Sequence, residues 1–176
     1  MRLMIAATKV LVWALLALSA PCALAADARE RGFIQQGMTE AEVLSRIGKP
    51  DYEGFILNVM GRPEGKVWTY MPHYRDPQTL TLITLWAGLV EKIDRQVVRA
   101  AGPDARERSN IRWGMTEGEV IYWIGRPDHE AVASNATGQP VIKTWTYLPH
   151  YRDPQTITII TLRTGIVESI ERKISR

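Results

Sequence analysis

The densest run of chemically capable side chains is Pro72-His73-Tyr74-Arg75-Asp76-Pro77-Gln78-Thr79, and it recurs unchanged as Pro149 to Thr156. Imidazole, phenol and carboxylate exchange protons and guanidinium stabilises developing charge, so the set has the repertoire for acid–base work. Spacing argues against that use. Successive residues of an extended segment point to opposite sides, and four neighbours do not converge on one reacting atom. Asp-Pro beside a second proline is itself a turn signal. The run therefore reads as a connecting loop. It is either plain, with Arg75 and Arg152 pairing a nearby carboxylate, or a contact loop presenting Tyr74, Arg75, Tyr151 and Arg152 to a partner. Tyrosine and arginine suit the second role, because they bury much area while keeping a polar handle.

No other constellation reaches that far. His73, His129 and His150 have no ligand-like spacing. There is no nucleophile elbow, no phosphate-cradling glycine loop and no paired-carboxylate pattern distinct from surface charge. Lys66 and Lys143 read as solvated edge residues. The sequence thus leads us to expect a protein that is not an enzyme and uses no metal or cofactor.

The amino terminus decides which residues those elements must be built from. Arg2 and Lys9 form a basic region, Val10 to Leu18 an apolar one, and Ala23-Leu24-Ala25 a small-residue cleavage site. Together they read as a cleaved secretory signal over residues 1–25, with an apolar run too short to span a bilayer. A retained anchor is the competing reading. The single cysteine, Cys22, lies inside this signal, with Ser19 and Pro21 where a lipoprotein signal needs an aliphatic and a small residue. A soluble periplasmic protein starting at Ala26 is expected, an outer-membrane lipoprotein through Cys22 being the alternative. Without Cys22 no disulfide framework, thiolate metal site or cysteine nucleophile can form. Removing Arg2 and Lys9 from the 22 basic residues leaves 20 against 19 acidic ones. That balance gives no reason to expect nucleic acid or anionic lipid as a partner.

Compared with itself, the chain aligns Asp27–Arg99 with Asp104–Arg176 without a gap. Of the 73 aligned positions 42 are identical, which marks a duplication to be read before any element. Repeat 1 is read as residues 26–99 and repeat 2 as 104–176, joined by 100–103. A 73-residue unit is near the lower limit for a self-sufficient core, so the copies are expected to pack together.

Each copy carries the same local signals. Asp27 and Asp104 are candidate caps of a short first helix ending at Gly37 and Gly114. Thr39-x-x-Glu42 and Thr116-x-x-Glu119 are capping boxes for a second helix, stopped at Gly48-Lys49-Pro50 and Gly125-Arg126-Pro127. Strands are expected over Lys66–Met71 and Thr79–Leu85, then after Ala87-Gly88 over Leu89–Val97, with equivalents in copy two. A further strand near Tyr52–Val59 has a weaker counterpart at His129–Ala136. The expected fold class is α+β: two tandem repeats, each a helix-turn-helix pair on a three- to four-stranded antiparallel sheet. One face of each sheet would then stay open to a partner.

The stretch Gly37-Met38-Thr39, Val43 and Gly48-x-Pro50-Asp51, repeated as Gly114-Met115-Thr116, Val120 and Gly125-x-Pro127-Asp128, resembles the signature of the SmpA/OmlA (BamE-like) family. The Trp-x-Tyr strands and the Gly-Leu-Val-Glu and Gly-Ile-Val-Glu hairpins are similar to it as well. The resemblance implies a cell-envelope protein acting through protein binding in outer-membrane protein assembly or envelope maintenance, with an association with the outer membrane left open. Family members are typically single-copy lipoproteins, whereas this chain is duplicated and lacks a lipobox. A tandem pair also resembles the architecture of β-lactamase-inhibitor proteins, and inhibition of a periplasmic or secreted enzyme is the alternative function. Finally, Gln36, Ser45 and Arg46 of copy one become Trp113, Tyr122 and Trp123 in copy two. These aromatics either pack between the copies or form an apolar patch for a partner.

Overall fold

A computed structural model of the chain describes residues 30–74, 76–97, 105–135, 140–151 and 153–174. The proposed signal with Cys22, the joining residues 100–103, Arg75 and Arg152 lie outside them. The described residues form two four-stranded antiparallel sheets, β1(Tyr52–Leu57), β2(Pro63–Tyr70), β3(Thr79–Trp86), β4(Leu89–Val97) and β5(His129–Ser134), β6(Pro140–Tyr147), β7(Thr156–Arg163), β8(Ile166–Ile174). Each sheet follows chain order, an antiparallel meander. Only two α-helices accompany them, α1(Glu40–Ile47) and α2(Glu117–Ile124).

This corrects the expected helix-turn-helix architecture: the molecule is mostly β. Of the first helix expected in each copy, the described residues form a 3₁₀ turn, Glu30–Phe33 in one and Ala105–Asn110 in the other, and the caps expected at Asp27 and Asp104 lie outside them. Gly32 in the first, and Ser109-Asn110 in the second, are weak helix formers, and so short a segment does not repay nucleation. The strand before β2, by contrast, is present in both copies. All six residues of β5 are exposed, so backbone pairing with β6 holds it rather than burial. Pairing has overridden propensity there.

Both α-helices owe their starts to the capping boxes. The Thr39 and Thr116 hydroxyls accept from the Glu42 and Glu119 amides, and the two carboxylates accept back from the threonine amides. Val43 and Ile47 of α1 then pack on Trp68, Tyr70, Ile83 and Leu85 of sheet 1. Val120 and Ile124 of α2 pack on Trp145, Tyr147, Ile160 and Leu162 of sheet 2. The hydroxyls of Tyr70 and Tyr147 donate to the carbonyls of Gly48 and Gly125 at 3.0 Å, tying each helix end to its sheet. Lys66 and Lys143 are not edge residues. They stand on the inner strands β2 and β6, and each ammonium meets a first-turn helix glutamate, Glu40 or Glu117, at 2.7 Å.

A second contact joins the repeats. The face of sheet 1 away from α1 carries Tyr52, Thr69, Leu80 and Leu82, aligned across the strands. Thr69 and Leu80 are fully buried and Leu82 nearly so, because α2 lies over them. Gly118 makes this possible: a Cβ there would fall 2.6 Å from Thr69 Cγ2 and 2.8 Å from Tyr52 Cδ2. The Thr69 and Thr116 hydroxyls meet at 2.9 Å, and Gln96 donates to Glu119 at 3.0 Å. Beside them the β7–β8 turn docks on β1, where Phe55 N–H donates to Thr164 O at 2.8 Å and the Thr164 hydroxyl donates to Phe55 O at 3.0 Å. The order of layers is α1, sheet 1, α2, sheet 2. Both faces of sheet 1 are therefore covered, contrary to the expectation of one open face per sheet, and among the described residues no element covers the outer face of sheet 2.

Candidate protein-contact site

The His-Tyr-Arg-Asp loops are built as tight turns. In repeat 1 the His73 amide donates to Asp76 O at 3.2 Å and the Asp76 amide returns to His73 O at 2.8 Å. The Thr79 hydroxyl donates to Asp76 Oδ1 at 2.7 Å, which anchors the turn to the start of β3. Repeat 2 repeats the backbone pair with His150 and Asp153. The aspartate is thus spent on shape. At each tip the tyrosine stands out, Tyr74 and Tyr151 both 74% exposed, with the ring of His73 or His150 tilted against it at 4.1 or 4.2 Å. Each loop offers an aromatic on a braced support, which is what an interface anchor needs.

The three aromatics that distinguish copy two go to three different places. Trp123 packs against the core of its own repeat. Tyr122 is half-buried, one helical turn beyond Gly118 and so on the side of α2 that meets sheet 1, and its ring makes an edge contact with Trp123 at 6.0 Å. Trp113 is 79% exposed. It stands at a groove of about 410 Å³ where the repeats meet, walled by Phe55, Ile56, Leu57 and Val67 on one side and Thr164, Ile166 and Val167 on the other. Its counterpart Gln36 instead donates to Glu91 O at 2.8 Å. Sequence reasoning found Trp113 but missed Phe55 and Thr164. Their signals were differences between the copies: Phe55 stands where copy two has Val132, and Thr164 where copy one has Ala87.

Among the described residues no three His, Cys, Asp or Glu side chains gather as a metal would require. Among the same residues no helix is long and apolar enough to cross a membrane.

No protein-family profile and no curated protein matches the chain, so the SmpA/OmlA resemblance rests on the motif residues alone. Among solved structures the chain is similar to a Streptococcus mutans protein described as a candidate β-lactamase inhibitor protein, over 81% of this chain and 86% of that one. Identity is 9% and the TM-score 0.33, a likeness too slight to carry an argument.

Proposed function

We propose that the chain works by binding another protein in the cell envelope, without catalysis. The observation that supports this best is the pair of identical braced loops, each holding a tyrosine 74% exposed. Exposed tyrosines on hydrogen-bonded turns bury much area on contact. Two such anchors on one molecule raise apparent affinity when one partner engages both. The motif resemblance supports a partner in outer-membrane protein assembly or envelope maintenance, reached after export through the signal at residues 1–25. A second reading, inhibition of a periplasmic or secreted enzyme, is favoured by the junction groove, whose apolar walls and Trp113 suit an inserted partner loop.

Capture from envelope extract tests these readings, using the wild-type chain, Tyr74→Ala with Tyr151→Ala, and Trp113→Ala. Loss of capture in the tyrosine double variant, with unchanged melting temperature, is the expected result. Assembly-machine subunits among the captured proteins favour the first reading, and one stoichiometric enzyme whose activity falls on addition favours the second. Undiminished capture by every variant would sink the role given to these residues.

A further inference from the structure

The outer face of sheet 2 presents the same register that sheet 1 uses to hold α2. His129, Thr146, Ile159 and Glu171 stand in one cross-strand row, with Ile157 and Lys173 in the next. Their equivalents in sheet 1 are Tyr52, Thr69, Leu82 and Asp94, then Leu80 and Gln96. Leu80 and Thr69 are fully buried under α2, while Ile157, Ile159 and Thr146 are half-exposed and Lys173 exposed.

A second copy of the chain is poorly suited to cover this face with its α1. Gly118, which lets α2 approach Thr69 and Tyr52 closely, is Ala41 in α1. Gly54, which receives the neighbouring turn with Gly165 O only 3.1 Å from where a Cβ would stand, is Ala131 on sheet 2. Tyr122 and Trp123 are Ser45 and Arg46 in α1. The copy's matching surface has lost its glycine and its aromatics.

Charge points to the occupant. Where Gln96 donates to Glu119, sheet 2 has Lys173, whose only described ion pair is with Glu171 at 3.2 Å. Both members of that pair are more than half exposed, so it is weak and readily exchanged. We propose that this face receives a short α-helix of a partner protein, with a glycine set against Thr146 and an acidic residue against Lys173. The inference deepens the protein-binding reading and rests on it.

The probe is a helix-stabilised peptide of residues 115–125, which carries Thr116, Gly118 and Glu119, titrated onto the full chain by amide chemical shifts. Saturable shifts around Thr146, Ile157 and Ile159 are expected. Binding should weaken at least about tenfold with Ile159→Lys or Lys173→Glu, and with Gly118→Ala in the peptide, each a loss of about 1.4 kcal/mol. Lys173→Glu, on an exposed position, guards against misfolding of the first variant. Absence of saturable binding, or binding indifferent to both sheet variants, overturns the proposal. So does concentration-dependent self-association abolished by Glu42→Lys, which would make a second copy the occupant. If envelope capture survives Ile159→Lys and Lys173→Glu but fails in the tyrosine variants, this inference falls and the protein-binding reading stands.

Discussion

Tyr70 and Tyr147 each close a core beneath a helix end, and burial pushes their phenols well above the ordinary value near 10. Their contribution to stability is undiminished below that ordinary value. It falls as pH rises above it, because the unfolded chain then ionises and the folded one does not. Urea titrations at pH 7 and pH 10.5 should show a loss in the wild type that is smaller in Tyr70→Phe and Tyr147→Phe. At pH 7 each substitution should cost about 1 kcal/mol for the lost bond to Gly48 O or Gly125 O. Gly118 poses a different residue-scale test. Alanine there drives a methyl into Thr69 and Tyr52 and is expected to destabilise by about 1–3 kcal/mol. At an exposed, uncrowded helical site the same change would stabilise. A stabilised G118A protein would show that α2 does not seat on sheet 1 this closely.

The two capping boxes share their threonine and their glutamate but not their surroundings. Thr39 is exposed, whereas Thr116 is 3% exposed and its hydroxyl also meets Thr69. Thr39→Ala should therefore cost about 1 kcal/mol, and Thr116→Ala more, as a buried threonine is left unpaired. The amide of Thr39 holds the Glu42 carboxyl below its usual range. The stability this lends is present above the unfolded-state value and is lost as pH falls through the folded one. Acid titration should show that loss flattened in Glu42→Gln. The hairpin turns also separate the copies. Ala87 and Thr164 sit at φ 50° and 49°, a conformation that costs any residue with a Cβ and a branched one most. Asn visits that region more easily, so Ala87→Asn should raise stability by up to about 1 kcal/mol. Thr164→Asn should gain less, since it forfeits the hydroxyl bond to Phe55 O.

At the scale of the whole molecule, repeat 1 needs repeat 2 more than the reverse. Leu80, Leu82 and Thr69 are covered only when α2 lies over them, while the corresponding residues of sheet 2 already face outward. Residues 27–99 expressed alone should aggregate or melt far below the full chain. Residues 104–176 alone expose the α2 side of the same contact and should melt at a lower temperature than the full chain, yet stay more soluble than 27–99. Calorimetry of the three proteins, with light scattering, checks this. Equal behaviour of the two halves would contradict the one-sided contact.

Much was legible without coordinates. The duplication, the capping boxes, the glycine stops and the Trp-x-Tyr strands are local or pairwise features, and local chemistry decides them: a threonine three residues before a glutamate caps a helix wherever it stands. The tyrosine loops could be read as turns because proline and aspartate impose a turn on their own backbone. What local signals did not decide was how much helix survives, since a few residues nucleate a helix only if packing rewards them, and the first segment of each copy became a 3₁₀ turn. Nor did they show that Lys66 and Lys143 stand on inner strands, because strand order is a property of pairing. The use of α2 twice, on its own sheet and on its neighbour's, was decided by tertiary structure alone. Gly118 in place of Ala41 was visible as a difference, but its meaning requires Thr69, 49 residues earlier, to stand 2.6 Å from a missing methyl.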